Sequence, residues 1–268
     1  MPEPNYNIEL ETHERALHYG DGLFETLLKY DGKLPLWDAH YDRLSRGCNR
    51  LSIPIPDENW LKQHIAEESR DLVNAVIKII VSRGRGGRGL RLPAPPRPSV
   101  FVLCYPWSES QQSGHQVSIC KTRLPINANL AGLKHLNRLD YVLAAIELQD
   151  IPDVTEGILC DSEGFLVEGL ISNLFFVTRS EIFTPTLEFA GVAGIMRARI
   201  LEHYRKLKIP VIQGRFPSQN LLESSECFLC NSVRGITPII AIDQQHFDVG
   251  THTQTLMAAL NLPAMAAF

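Results

Sequence analysis

The sequence predicts an α+β fold in which strands and helices occur in separate groups. Apolar runs such as 75–81 and 100–104 are short and rich in β-branched or aromatic residues, which is typical of buried strands. Longer segments with helical spacing of apolar residues lie between groups of strands, without regular alternation of one strand and one helix. Strands joined by hairpin connections favour antiparallel or mixed sheets over a doubly wound parallel sheet.

The N-terminal half begins with hairpin-like strands over 22–36. Two helices are predicted next, at about 37–51 and 58–73, from the helical spacing of their apolar residues. Further strands are expected on both sides of the proline-rich loop 93–98, because proline interrupts regular structure and supports turns.

The chain is predicted to divide at the polar segment 105–115, which contains a proline, a glycine and several serines and glutamines. We therefore expect a smaller N-terminal α/β domain at 1–108 and a larger C-terminal domain at 109–268. The second domain contains strands, a helix that starts near Asn137, a strand–turn–strand hairpin over 161–176, a further helix and terminal strands.

The charge balance and the hydropathy pattern exclude two classes of function. The 268 residues carry 26 lysines and arginines against 30 acidic residues, a net charge of −4, so no nucleic-acid partner is expected. No apolar run approaches the length that crosses a bilayer, and the polar start has no basic-then-apolar leader. We expect a cytoplasmic protein that acts on a small molecule and has no membrane partner.

One lysine stands among apolar neighbours just before a predicted helix. Lys134 is followed by Asn137 and Asp140, whose spacing is that of a capping box, and apolar residues then recur at helical spacing over 139–146. An ammonium that loses hydration has a lowered pKa, so its neutral amine reacts with aldehydes near neutral pH. Lys134 is therefore a candidate Schiff-base lysine; the alternative is a solvated loop lysine.

A carboxylate occupies an otherwise apolar strand some thirty residues further on. Glu168 lies in the second strand of the hairpin, whose tight turn is predicted at Glu163 and Gly164. An unpaired buried carboxylate is costly, so this position requires a cationic partner, for which a protonated pyridine nitrogen is suited. The alternative is an edge-strand carboxylate that faces water.

A third group of residues has the character of an anion site. Gly194 precedes a helix that begins with Ile195 and Met196, and free backbone amides at a helix start bind phosphate. Arg43, on the helix predicted first, can grip a phosphate with two hydrogen bonds, and Ser232 can add a hydroxyl or an amide.

A loop rich in glycine and arginine follows the strand 75–81. Arg83 and Arg88 flank glycines that let the backbone come close to a ligand. The run is too short for an RNA-binding box and follows an apolar strand. We predict that Arg83 and Arg88 bind the carboxylates of an anionic substrate; the alternative is a solvated loop.

The six cysteines are scattered and are interpreted as buried, reduced thiols. Cys227 and Cys230 have a Cys-x-x-Cys spacing, but a strand through them would point the two thiols to opposite faces. No second pair lies nearby and the histidines show no ligand spacing, so no metal site is predicted.

Taken together, these segments resemble the fold-type IV family of pyridoxal-phosphate enzymes. The resemblance begins at 19–26, passes through 40–44 and 82–90, and ends at 231–238. It implies a two-domain α+β fold of the D-amino acid aminotransferase type, with pyridoxal 5'-phosphate between the domains. It also implies a homodimer in which the partner subunit helps to close the site.

The resemblance implies a role for each matching residue. Lys134 is the Schiff-base lysine, and Glu168 pairs with the pyridine nitrogen of the cofactor. The phosphate is held by Arg43, the amides of Ile195 and Met196, and Ser232. The chain departs from the family pattern at 11–15, before the Gly-Asp-Gly motif.

Within the family, the runs 82–89 and 132–139 are most like those of the aminodeoxychorismate lyases. These enzymes eliminate pyruvate from 4-amino-4-deoxychorismate to give 4-aminobenzoate for folate synthesis. Thr26 falls where they carry a hydroxyl near the reacting carbons, which implies an accessory role in proton transfer. The alternative is a D-amino acid or branched-chain aminotransferase on the same fold, and Arg83 and Arg88 are expected to distinguish the two.

Overall fold

The computed structural model describes residues 12–109 and 114–261, and within these ranges the chain forms seven helices and twelve strands. The helices are α1 (Arg15–Tyr19), α2 (Trp37–Leu51), α3 (Glu58–Glu68), α4 (Leu139–Leu148), α5 (Ile195–Lys206), α6 (Ser218–Leu222) and α7 (Thr251–Leu260). The strands are β1 (Gly22–Lys29), β2 (Ala75–Ser82), β3 (Ser99–Pro106), β4 (His115–Leu124), β5 (Glu156–Asp161), β6 (Leu166–Gly169), β7 (Asn173–Thr178), β8 (Glu181–Pro185), β9 (Val211–Gly214), β10 (Glu226–Asn231), β11 (Gly235–Ile242) and β12 (Gln245–His246).

The first three strands form an antiparallel sheet in the order β1-β2-β3. Residues alternate along β2, so that Ile77 and Ile79 are buried on one face against α2 and α3. On the opposite face β1 presents Phe24 and Thr26, which are half-buried. The small sheet therefore has one face for its own core and another that is free to build a site.

The remaining strands form a mixed sheet in the order β6-β5-β4-β11-β10-β7-β8-β9, with β12 paired to β11. Three neighbouring pairs are parallel, namely β4 with β5, β4 with β11, and β8 with β9. The other pairs are antiparallel. The prediction of an α+β fold with mixed and antiparallel sheets is confirmed.

The large sheet is covered on both faces, and β10 shows how the strand alternation serves both cores. Phe228 and Cys230 pack in a cluster with residues of α5 and α7, whereas Cys227 packs on the other face with Phe176. Cys227 and Cys230 therefore point to opposite faces, as their spacing predicted. Among the described residues, all six cysteines are free thiols.

The chain passes from the small sheet to the large sheet close to the predicted domain boundary. Strand β3 ends at Pro106 and β4 begins at His115, so the predicted division after residue 108 falls between the two sheets. The assignment of 1–108 and 109–268 as separate domains stays a prediction.

The segment that departs from the family pattern forms helix α1. Glu14 is its N-cap and accepts a hydrogen bond from the amide of Ala16 at 3.3 Å. The same buried carboxylate accepts hydrogen bonds from the hydroxyls of Ser82 and Ser99. Glu14 thereby fastens α1 to the ends of β2 and β3. Glu11 lies outside the described residues.

Two predictions about helix boundaries were wrong. Helix α3 ends at Glu68 and not at residue 73. Just beyond its end, the side chain of Lys29 donates to the Ser69 carbonyl at 2.9 Å. Asn137 does not cap α4, because its amide side chain donates to the carbonyl of Gly20 at 3.3 Å. The N-cap position of α4 is Arg138, which makes no capping hydrogen bond through its side chain.

Candidate active site

A cavity of about 540 Å³ lies between the free face of the small sheet and the edge of the large sheet. This size is within the range of small-molecule and cofactor sites. Its lining includes Phe24, Thr26, Arg43, Lys134, Glu168 and Ser232. Three elements of the large sheet region (β6, the start of α5 and the end of β10) therefore face β1 and α2 across one space.

Lys134 lies in the wall of this cavity, in the segment that precedes α4. Its carbonyl accepts a hydrogen bond from the amide of Phe24 at 2.9 Å, which joins the segment to β1. The Lys134 Nζ atom lies 4.3 Å from the centre of the Phe24 ring. Burial, with a further contribution from the charge of Arg43, lowers the pKa of Lys134 to about 8. The neutral, nucleophilic amine is therefore much more populated near neutral pH than that of an ordinary lysine.

Glu168 is buried and faces the same cavity from β6. Its Oε1 atom accepts from the Tyr141 hydroxyl at 2.5 Å, and its Oε2 atom accepts from the Val192 amide at 2.9 Å and from Asn173 Nδ2 at 3.1 Å. Burial raises the pKa of Glu168 in spite of these donors. Among the described residues Glu168 has no ion-pair partner, so its position fits a ligand with a cationic nitrogen.

The start of α5 forms an anion-binding end of the cavity. Gly194 is the N-cap and makes no side-chain capping bond, so the first amides of this twelve-residue helix are available to a ligand. A Cβ atom on Gly194 would lie 1.8 Å from Asn173 Oδ1, so any other residue there would displace the Asn173 side chain that holds Glu168. Ile195 lines the cavity, whereas the Met196 side chain is in the core and only its amide is available at the helix start.

Arg43 is held beside this helix end by a buried carboxylate. Its guanidinium donates to both oxygens of Glu25, at 2.7 and 2.5 Å, and to the carbonyl of Ala193 at 3.0 Å. His40 Nδ1 lies 2.7 Å from the same carboxylate. Burial alone would raise the pKa of Glu25, but Arg43 and His40 together hold it at about 2. Arg43 therefore reaches the site with its orientation set by a charge-assisted network.

Ser232 and Thr26 join the strands that meet at the cavity. The Ser232 hydroxyl donates to the carbonyl of Thr26 at 3.0 Å, and both residues line the cavity. Thr26, Lys134 and Ser232 thus line one cavity, although they lie far apart along the chain.

The placement of Arg83 corrects one prediction. Arg83 is buried, and its guanidinium donates to Asp21 at 2.8 and 3.0 Å and to the carbonyls of Leu51 and Ser52 at 2.7 and 3.0 Å. Asp21 also pairs with Arg15 at 2.7 Å. All of these bonds are structural and Arg83 does not line the cavity described here, so the geometry does not support a role in substrate binding.

Arg88 is exposed in the loop that follows β2. It is not part of the cavity lining in the described chain. Both arginines that were expected to distinguish a lyase from an aminotransferase therefore lie outside the cavity of a single subunit.

Sequence reasoning missed four side chains that the cavity requires. Tyr141 and Asn173 hold Glu168, Glu25 holds Arg43, and Arg138 lies between the Phe24 and Tyr141 rings. Tyr141 lies in the first turn of α4, and no local pattern in the sequence showed that it would reach Glu168; the other contacts depend on how distant segments pack together.

The comparisons with known proteins agree with this geometry. Residues 22–242 match the family model for amino-transferase class IV. The chain belongs to this family. An aminodeoxychorismate lyase of Vibrio harveyi is 33% identical over 92% of this chain and 94% of its own length. A putative branched-chain-amino-acid aminotransferase of Methanocaldococcus jannaschii is 29% identical over 88% of this chain and 84% of its own length.

A solved structure is similar over almost the whole fold. The 4-amino-4-deoxychorismate lyase from Pseudomonas aeruginosa superimposes with a TM-score of 0.88 at 39% sequence identity, covering 95% of this chain and 96% of that chain. The predicted family and its fold are confirmed for this class IV chain. Among the described residues, no helix is long and apolar enough to cross a bilayer.

Replacement of Arg83 is expected to affect stability, and Arg88 provides the matched control. Arg83→Ala should lower the free energy of unfolding by about 3 kcal/mol, because a partly buried carboxylate and two carbonyls lose a donor. Arg88→Ala, on the exposed loop, should change it by less than about 0.5 kcal/mol. Denaturant unfolding measures both values, and equal stability of the two variants would contradict the structural role of Arg83.

The reactivity of Lys134 is expected to follow its lowered pKa. Only the neutral amine attacks an aldehyde, so the rate at which the apoprotein takes up pyridoxal phosphate should rise with pH with its midpoint at about 8. An unperturbed lysine amine, with a pKa of about 10.4, serves as the control in the form of N-acetyl-lysine. Stopped-flow absorbance gives both profiles, and a midpoint near that of the free amine would refute the effect of burial.

Proposed function

We propose that this class IV protein is an aminodeoxychorismate lyase that uses pyridoxal 5'-phosphate. The observation that carries the proposal is the convergence of Lys134, Glu168 and the start of α5 on one cavity. When bound, the cofactor supplies an electron sink for the charge that develops on the substrate. The similarity to lyases over more than nine-tenths of the chain supports the choice of reaction.

The residues present fit the three polar parts of the cofactor. Lys134 would bind its aldehyde covalently, and the Glu168 carboxylate would pair with its pyridine nitrogen. The phosphate would be held by Arg43, by the amides of Ile195 and Met196, and by Ser232. Glu168 would favour the protonated form of that nitrogen, because its carboxylate is buried and has no other ion-pair partner in the described ranges.

Lys134 is proposed to move the protons of the reaction. Its neutral Nζ takes the proton from the ring carbon that bears the substrate's amine. The bond between the ring and the enolpyruvyl oxygen then breaks, and the ring becomes aromatic. The same Nζ returns a proton to the departing enol, so that one aminodeoxychorismate gives one 4-aminobenzoate and one pyruvate. Such general acid–base work typically contributes about a hundred- to ten-thousand-fold in rate.

Thr26 is assigned an accessory part in this proton transfer. It lines the cavity from β1, and its carbonyl is already occupied by the Ser232 hydroxyl. Its own side chain is on the half-buried face of the small sheet that borders the cavity. The hydroxyl of Thr26 is thus available to a proton that passes between Lys134 and the substrate.

The alternative is a branched-chain or D-amino acid aminotransferase with the same cofactor residues. Similarity to the putative branched-chain-amino-acid aminotransferase of Methanocaldococcus jannaschii favours this alternative. Both reactions need Lys134 and Glu168, so these residues do not separate them. The two reactions are distinguished by their products.

Incubation of the holoenzyme with each substrate tests the proposal. Aminodeoxychorismate should give pyruvate and 4-aminobenzoate in equal amounts, while L-leucine or D-alanine with 2-oxoglutarate should give no comparable amino transfer. Lys134→Ala should lose both this turnover and the visible absorbance of bound cofactor, whereas the exposed Lys208→Ala should keep both. Amino transfer without pyruvate release would establish the alternative, and a borohydride-trapped adduct in Lys134→Ala would place the cofactor on another lysine.

The protein is further proposed to act as a homodimer through an apolar face of α4. Four side chains of this helix that recur at helical spacing are exposed on the single subunit, namely Leu139 (71%), Val142 (49%), Leu143 (48%) and Ile146 (58%). Contiguous apolar surface of this kind marks an interaction site. Val142 also lines the cavity, so a second copy seated on this face would help to close the site.

Charge placed on this face is expected to separate the subunits. The double variant Leu143→Glu/Ile146→Glu should elute as a monomer, because two buried carboxylates at an apolar interface are not solvated. Val73→Glu, at another exposed apolar residue, should remain dimeric. Light scattering coupled to gel filtration measures the mass. A dimeric double variant, or a wild type that is already monomeric, would contradict this interface.

A further inference from the structure

Three cationic groups surround the ring of one cavity residue. The ring centre of Phe24 lies 4.3 Å from Lys134 Nζ, 5.4 Å from Lys78 Nζ and 5.5 Å from Arg138 Cζ. We call these three residues the Phe24 cation cluster. Lys134 has the chemical role described above, but Lys78 and Arg138 have no part in it so far.

The register of the small sheet places Lys78 at the border of the cavity. Lys78 on β2 is paired with Thr26 on β1, and Thr26 lines the cavity. Two residues earlier on β2, Val76 lines it as well. Since residues two apart on a strand share a face, the Lys78 side chain extends from the same face as these two neighbours. Its half-buried position agrees with this placement.

The charges of the cluster are incompletely balanced by the protein. Glu25 neutralises Arg43, and Glu168 is the carboxylate that lines the cavity near Lys134. In the described parts of the chain, neither Lys78 nor Arg138 forms an ion pair.

Arg138 is held in place without a carboxylate. Its guanidinium donates to the carbonyls of His135 at 3.0 Å and of Leu133 at 3.4 Å, and lies 4.6 Å from the Tyr141 ring. Its charge also contributes to the lowered pKa of Lys134. Like charges gathered at a partly dry site repel each other, and an anionic ligand would relieve that repulsion.

We propose that Lys78, on the free face of the small sheet, binds a carboxylate of the substrate and thereby selects a dicarboxylate ring over an aliphatic amino acid. This inference rests on the proposed lyase function. Aminodeoxychorismate carries one carboxylate on its ring and a second on its enolpyruvyl group, so it needs cationic groups beyond those that hold the cofactor. Lys78 supplies one of them, and Arg138, which lies near the same ring and lines the cavity, adds to the same positive field.

Lys78 can take the role of binding a substrate carboxylate that was predicted for Arg83 and Arg88. Those two arginines lie outside the cavity of the single subunit. Lys78 is not part of the lining either, but it is paired with Thr26, which lines the cavity, and its Nζ lies 5.4 Å from the ring centre of Phe24, which lines it as well. A lysine ammonium acts as a compact point charge on a flexible stem, which suits a carboxylate that approaches from the cavity. Lys78 is a substrate-binding residue in this proposal and has no part in proton transfer.

The test uses holoenzyme and removes the charge with little change of shape. Lys78→Met keeps an unbranched apolar stem, Lys78→Arg keeps the charge, and Lys33→Met removes a charge from the exposed turn after β1. Lys78→Met should raise the KM for aminodeoxychorismate by about ten- to hundred-fold, with kcat changed much less, because one charge-assisted contact is lost. Lys78→Arg should recover most of the affinity, and Lys33→Met should behave as wild type.

A binding measurement separates this inference from the lyase function itself. Chorismate has the same two carboxylates but a hydroxyl in place of the amine, so its binding to holoenzyme requires no turnover. Its Kd should rise about ten- to hundred-fold in Lys78→Met, while the cofactor absorbance and cofactor Kd stay unchanged.

Each outcome has a distinct meaning. Unchanged chorismate binding and unchanged KM in Lys78→Met would overturn the role of Lys78 while the lyase function stands. Loss of cofactor in Lys78→Met would also overturn it, since the residue would then serve the cofactor. If the wild type binds chorismate through Lys78 but releases no pyruvate from aminodeoxychorismate, the carboxylate site stands and the lyase function is refuted.

Discussion

The removal of water from Lys134 and Glu168 at one place is the constraint on which the rest of the site depends. Burial disfavours both charged forms, so the pKa of the lysine falls to about 8 and the pKa of the carboxyl group rises. Burial is therefore the common cause of the reactive amine and of a carboxylate that is suited to a cationic ligand. Phe24 excludes water on one side, and Tyr141 and Asn173 satisfy the carboxylate on the other.

The cavity keeps its shape because polar networks join the small sheet to the large sheet region. Arg43 bridges Glu25 on β1 and the Ala193 carbonyl just before α5. Within the small-sheet part of the chain, Arg83 joins Asp21 to the end of α2 and so fixes the position of β1 relative to that helix. Apolar contacts are tolerant of small displacements, whereas a buried charge that loses its partners is costly. These networks therefore fix the orientation of the charged side chains at the cavity.

Agreement between sequence and structure is best where one local pattern dominates. Helix α2 has the predicted bounds, the hairpin turns at Gly164 with a positive φ, and Gly194 opens α5 as expected. The arginine-rich loop shows the opposite case. Arg83 and Arg88 have similar surroundings in the sequence, yet one is buried and fully bonded and the other is exposed. Composition does not reveal which way a side chain turns when a neighbouring glycine permits either direction.

The sequence by itself determined the α+β class, the lysine ahead of α4, the carboxylate in an apolar strand and the glycine at a helix start, because these depend on neighbours within a few residues. The resemblance to a known family assigned their roles. Only the tertiary structure decided that Glu25 orients Arg43, that Lys78 borders the cavity and that the apolar residues of α4 face outward. Those facts depend on strand register and on packing between segments that are distant in the chain, and no local pattern encodes them.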